Sequence, residues 1–144
     1  MKFNLVRMTL LVLLVLFAGV SIYVPEGIKA REENRKEKIL ASIFQGRPVV
    51  LEYTSPECAT CAAMRPIVQK LKKEYSGAVD FVEVTVQSDQ AQALQEMFPA
   101  EYLPSFFLCL DRDTVFTHFE GELSEDSFRA MLDSMKSAPR NIIN

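Results

Sequence analysis

From residue 38 onward the apolar positions switch between helical and strand periods, and these switches set the expected elements. Ile39, Leu40, Ile43 and Phe44 share one helical face that ends near Gly46 and Pro48. Val49-Val50-Leu51-Glu52-Tyr53 follows, β-branched and aromatic without alternation. That is the pattern of a central strand covered on both faces, broken by one carboxylate, Glu52. Met64, Ile67, Val68, Leu71 and Tyr75 then recur at helical spacing, with Pro66 inside as an expected kink and Gly77 as the stop. Residues 79–86 read as a second strand. Residues 90–98 read as a helix with Ala91, Leu94 and Phe98 inward, closed by Pro99. Ser105 to Leu110 forms a third strand, Asp111-Arg112-Asp113 a turn, and residues 114–119 a fourth strand near enough for an antiparallel hairpin. Ser124 caps the last helix, Glu125 and Asp126 sit in its first turn where the helix dipole favours acids, and Phe128, Met131, Leu132 and Met135 form its apolar face. The order α-β-α-β-α-β-β-α predicts an α/β fold, a mixed sheet of about four strands between helices.

The first thirty residues follow a different rule. Met8 to Val24 carries no charged side chain, Phe3, Leu5 and Val6 extend it upstream, and Lys2 and Arg7 flank it. A stretch this long sits at the lower limit for crossing a hydrocarbon core of about 30 Å. It also has the n-region and h-region order of an export signal. Small residues suited to cleavage are sparse, and the run is longer than an ordinary h-region. The expectation is therefore a membrane anchor or uncleaved signal over residues 1–27, with residues 3–24 in the lipid bilayer. A charged linker follows over 28–37, then a domain over 38–137 and a tail over 138–144. The Lys/Arg count alone favours a cytoplasmic C-terminal side, through Lys29, Arg31, Arg35, Lys36 and Lys38. Long domains translocate largely regardless of charge, so the expected location is the cytoplasmic membrane, single-pass, with the domain facing the periplasm or cell exterior.

Composition narrows the chemistry. The 144 residues carry a formal net charge of −3, which gives no electrostatic ground for a nucleic-acid partner. Three cysteines are too few for a disulfide scaffold, and two of them form Cys58-Ala59-Thr60-Cys61 at a strand-to-helix transition. By itself this CxxC is compatible with a static disulfide, a metal clip or a redox dithiol. A structural zinc site normally needs four ligands, and beyond the pair only Cys109 and His118 are soft candidates, at unsuitable spacing. In a dithiol at a helix N-terminus, Cys58 is the exposed attacking thiol, its thiolate favoured by unpaired N–H groups and the helix dipole, and Cys61 is the buried resolving thiol. Glu57 is adjacent, and no Lys, Arg or His lies between it and Met64. A negative neighbour without an offsetting cation disfavours the thiolate, so a reducing role is expected over a strongly oxidising one. Cys109, among Phe and Leu, reads as a small buried hydrophobe, and His118 as a surface or edge residue.

The element order, the CxxC at the first strand-helix junction, Pro66 five residues after Cys61, Leu103-Pro104 before the third strand, Gly121 before the last helix, and Glu52 six residues before Cys58 together resemble the thioredoxin-like family. With the apolar N-terminus, the chain is similar to membrane-anchored periplasmic thiol-disulfide oxidoreductases. The resemblance implies catalytic Cys58 and Cys61 and a buried Glu52 that accepts the Cys61 proton through water. It implies a cis Pro104 facing the dithiol, with Leu103 lining a substrate groove where an extended client adds as a strand. It implies no cofactor and no metal. The partners are client proteins with disulfides or thiols and a membrane or soluble electron donor. The chain departs from thioredoxins proper: it lacks Trp, has Ala59-Thr60 between the cysteines, and has neither the Pro-His of strong oxidases nor the Gly-His of isomerases. A disulfide oxidase or isomerase of the same fold, and a redox-inert or metal-binding adaptor, remain open alternatives.

Overall fold

The computed structural model describes residues 2–139, the side chains of residues 2–6 and 18–25 excepted. The elements are α1 (Lys2–Ile43), β1 (Val49–Thr54), α2 (Ala59–Glu74), β2 (Asp80–Thr85), α3 (Asp89–Leu94), β3 (Ser105–Cys109), β4 (Val115–Glu120) and α4 (Glu125–Ser137). The expected order of elements is the order found. The chain divides after Glu37 into two units, the second beginning at Lys38.

In the first unit the expected anchor over 3–24 includes residues 3–6 and 18–24, which lie outside the described side chains. Among the described residues no helix is long and apolar enough to cross a membrane. Residues 28–37, expected as a linker, are helical and belong to α1. Glu, Lys and Arg are good helix formers, and Glu32 precedes Lys36 by four positions, the spacing at which opposite charges support a helix. Of the expected tail 138–144, residues 140–144 lie outside the described residues.

The second unit is built on a four-stranded sheet in the order β2-β1-β3-β4. β1 pairs parallel with β2 and antiparallel with β3, and β3 pairs antiparallel with β4, as the short turn between them requires. Because successive side chains alternate faces, the central strands feed two cores. Val49, Leu51 and Tyr53 of β1 and Phe107 and Cys109 of β3 pack with Leu40, Ile43, Leu94 and Phe98 on one face. Val50 of β1 and Phe106 and Leu108 of β3 pack on the other with Met64, Val68 and Leu71 of α2 and Phe128, Leu132 and Met135 of α4. Burial on both sides is why β1 shows no apolar alternation, and it puts Glu52, which shares Val50's face, under α2.

The helix ends follow local rules. Ser88 and Ser124 cap α3 and α4 by accepting the backbone N–H groups of Ala91 and Ser127. α3 stops at Leu94 rather than at the expected Phe98, yet Phe98 stays buried by stacking on Phe44 and Phe107. α2 and α4 are tied at their surface by Arg129, which binds the carboxylates of Glu74 and Glu125 at 2.8 and 2.7 Å. The Tyr75 hydroxyl adds a hydrogen bond to Asp133 at 2.7 Å.

Phe106 is the centre of the α2–α4 core: it stacks on Phe119 at 4.7 Å and meets Phe128 edge-on at 5.2 Å. Phe106→Ala is expected to cost about 3–5 kcal/mol, the range for deleting a buried aromatic ring. Denaturant unfolding of the oxidised protein measures it, and a loss below about 1 kcal/mol would contradict this packing.

Candidate active site at the β1–α2 junction

β1 ends buried and hands the chain to a tight turn, Ser55-Pro56-Glu57, before α2. The turn is closed by the Cys58 N–H donating to the Ser55 carbonyl at 3.2 Å. The Ser55 hydroxyl donates to the Glu57 carboxylate and accepts the Glu57 N–H at 3.3 Å. That hydroxyl holds the Glu57 carboxyl below the usual carboxylate range, so Glu57 stays charged beside Cys58 at neutral pH.

Cys58 is the N-cap of α2. Its backbone is extended (φ −82°, ψ 107°), its carbonyl accepts the Ala62 N–H at 3.1 Å, and its Sγ accepts the Cys61 N–H at 3.0 Å. Sulfur thus occupies the place where a Ser, Asp or Asn oxygen usually satisfies an orphan helix donor. The two cysteines are joined as a disulfide with Cα atoms 5.2 Å apart. Cys58 is half-buried, whereas Cys61, one turn into the helix, is 2% exposed. Only Cys58 offers its sulfur to a large reaction partner.

Glu52 lies beneath the helix at 9% exposure. Burial raises its carboxyl to about 7, the charge of Glu83 pushes in the same direction, and Arg65 and Lys72 pull it back. A cavity of about 160 Å³ is lined by Glu52, Thr54, Cys61, Arg65, Lys72 and Glu83 among others. It is polar and has room for water, so it can connect the Cys61 sulfur to the Glu52 carboxylate.

The Leu103–Pro104 peptide bond is cis, with Pro104 buried and Leu103 half-buried. β3 begins immediately afterwards with Ser105 opposite Tyr53, so this loop lies at the sheet end where β1 leads towards Cys58. The loop is braced from β4: one Glu120 carboxylate oxygen accepts the N–H groups of Glu101 and Tyr102 at 2.9 and 3.3 Å. The Pro104 carbonyl accepts the N–H of Gly121, whose φ of +81° is a conformation costly for other residues. Tyr102 is 69% exposed beside it.

Cys109 is free and fully buried, its thiol pushed up to about 12 by desolvation, which leaves it unreactive. His118 stacks on Phe107 at 4.2 Å, its Nε2 3.2 Å from the Ser105 hydroxyl and 3.5 Å from Glu120. It belongs to the brace of the Pro104 loop rather than to the dithiol. Sequence reasoning missed Glu83 and Glu120. Both were visible as carboxylates in or at the end of a strand, but their positions depend on sheet register.

Three comparisons bear on this geometry. The family model described as Thioredoxin matches residues 28–134. A thiol:disulfide interchange protein TxlA homolog of Synechocystis is 25% identical over 123 residues, covering 81% of this chain and 68% of its own length. Thioredoxin of Borreliella burgdorferi is 29% identical over 91 residues, covering 62% of this chain and 74% of its own length. Among solved structures, the germline-specific thioredoxin Deadhead of Drosophila melanogaster superposes with a TM-score of 0.54 at 22% identity, covering 71% of this chain and 89% of its own; this likeness speaks for the fold.

The raised Glu52 carboxyl makes a stability prediction. Folding favours the protonated acid, so its contribution is fully present below the unfolded value near 4.5 and is lost as pH rises through about 7. The loss is on the order of 3 kcal/mol. Urea unfolding of the oxidised protein from pH 4 to 8 is expected to show this fall, and Glu52→Gln is expected to flatten it. An unchanged slope in Glu52→Gln would contradict the assignment.

Proposed function

The chain belongs to the thioredoxin family and is a thiol-disulfide oxidoreductase, and on that premise we propose that it reduces disulfides of client proteins outside the cytoplasmic membrane. The observation that carries the exchange chemistry is the Cys58–Cys61 disulfide at the start of α2, with one sulfur accessible and the other buried beside Glu52.

The reaction starts from the reduced dithiol. The Cys58 thiolate attacks one sulfur of a client disulfide, the client S–S bond breaks, and the leaving client sulfur takes a proton. A Cys58–client mixed disulfide results. The Cys61 thiol then gives its proton to the Glu52 carboxylate through cavity water. The Cys61 thiolate attacks Cys58 Sγ, and the second client sulfur departs. The client gains two electrons and the Cys58–Cys61 pair loses two. A thiol-bearing electron donor, membrane-bound or soluble, resets it by the reverse exchange. A carboxylate with a value near 7 suits the acceptor role, because a base works best when its pKa lies near the operating pH.

The charges at Cys58 support this direction. A strong oxidant needs a stabilised thiolate. Here the Cys61 N–H favours the thiolate, but the ionised Glu57 is adjacent in sequence and opposes it. Leu103 and Pro104 form the client groove. Proline lends no N–H to the sheet, and Tyr102 offers an exposed aromatic surface alongside.

Residues 3–24 tether the chain to the bilayer, with the domain on the periplasmic or outer side. Supporting this are the uncharged run Met8 to Val24 and the exposure of Met8, Leu10, Leu11, Leu13, Leu14 and Phe17, an apolar surface that water does not favour.

Two experiments test these proposals. The protein is expected to catalyse reduction of insulin disulfides by dithiothreitol; Cys58→Ser is expected to abolish this, and Cys61→Ser to accumulate a client mixed disulfide. Equal activity of wild type and Cys58→Ser would overturn the mechanism. In intact bacterial cells, a membrane-impermeant thiol reagent is expected to label reduced Cys58, and the protein to resist carbonate extraction from membranes. Protection from the reagent, or release by carbonate, would overturn the location.

A further inference from the structure

Among the described residues, Glu83 is the one acid that shares the face and the cavity of Glu52 without a place in the exchange described above. β1 and β2 run parallel with Glu52 opposite Glu83. Val82 and Val84 of β2 turn to the α3 side of the sheet, so Glu83 turns to the α2 side, as Glu52 does. Neighbouring strands lie about 4.8 Å apart, which keeps two carboxylates on paired positions within a short reach. Like charges directly opposite on paired strands destabilise a sheet. Such a pair, next to the resolving thiol, needs a reason other than stability.

We propose that Glu83 is a positioning residue for disulfide exchange that acts through Glu52: its negative charge strengthens Glu52 as the acceptor of the Cys61 proton. The proposal rests on Glu52 serving as that acceptor. When Glu52 takes the proton, the pair goes from two negative charges to one, and the repulsion across the strands is relieved. Proton transfer from Cys61 is thereby favoured at the moment resolution needs it. Burial and Glu83 act together on Glu52, while Arg65 and Lys72, reaching from α2, oppose them. The opposite β3 position is Phe106, which adds no charge. Glu83 is exposed, so its charge remains in contact with solvent and its effect is moderate rather than overwhelming.

Two readouts test it, each with Glu83→Gln, Glu83→Asp and the double variant Glu52→Gln/Glu83→Gln. The first is the Glu52 side-chain carboxyl titration in the oxidised protein, followed by carbon-13 NMR. The second is the pH profile of resolution of a Cys58 mixed disulfide with a small aromatic thiol, in a single turnover. Glu83→Gln is expected to lower the Glu52 midpoint by roughly 0.5–1 unit and to move the resolution profile to lower pH by the same amount. Glu83→Asp, which keeps the charge, is expected to stay close to wild type. In the Glu52→Gln background Glu83→Gln is expected to leave the profile unmoved. A Glu52 midpoint that does not respond to Glu83→Gln overturns the proposal while leaving Glu52 as acceptor. A midpoint that moves without any movement of the resolution profile overturns the acceptor role of Glu52, and the proposal with it. A profile shift that persists in the Glu52→Gln background also overturns it.

Discussion

The hydrogen bond from the Cys61 N–H to Cys58 Sγ is the contact on which the site depends. A helix begins with backbone donors that have no partner inside it, and most helices satisfy them with an oxygen. Here the acceptor is sulfur, so the group that starts the helix also belongs to the Cys58–Cys61 disulfide. That choice fixes the geometry of both thiols. Cys58 must stand at the end of the helix, half-exposed, and Cys61 must lie one turn inside it, against the sheet. The difference in exposure between the two sulfurs is thus a consequence of where a helix begins. The rest of the domain keeps that start in place. β1 is buried on both faces, α2 is clamped to α4 through Arg129 and Tyr75, and the Pro104 loop is braced from β4.

Beneath the helix the fold tolerates an arrangement that packing alone would reject. A carboxylate under α2 costs desolvation, and a second on the neighbouring strand adds repulsion. Both effects raise the Glu52 carboxyl, and Glu52 shares its cavity with Cys61 and Glu83. Around Cys58 the balance is different: one N–H favours its thiolate while Glu57, held ionised by Ser55, disfavours it. The two sulfurs therefore sit in distinct electrostatic surroundings although they are only three residues apart.

Much of this was legible in the sequence. The run Val49 to Tyr53 lacks alternation because two cores press on it, and the helical spacing from Met64 to Tyr75 marks the face that covers it. The cysteine spacing and Glu52 could be found by position alone. What escaped was whatever depends on register. Glu83 looks like any solvent-facing acid in a short strand until β1 and β2 are aligned, and only then does it oppose Glu52. Glu120 likewise bonds a loop nearly twenty residues away. The continuity of α1 through residues 28–37 was hidden for another reason: a mixed-charge stretch has no apolar periodicity, and only its high helix propensity distinguishes it from a linker. α3 ended early because Phe98 is held by aromatic packing rather than by a further helical turn.

The central claim is that these residues make Cys58 and Cys61 a reversible couple biased towards giving electrons. The equilibrium reduction potential of the Cys58–Cys61 disulfide, measured against dithiothreitol with thiol trapping and mass spectrometry, tests it most directly. A reversible two-electron couple near about −270 mV, the potential of a reducing dithiol, is the expected result. A value near about −120 mV, characteristic of a strong oxidant, would contradict it, as would a pair that cannot be reduced and reoxidised without unfolding.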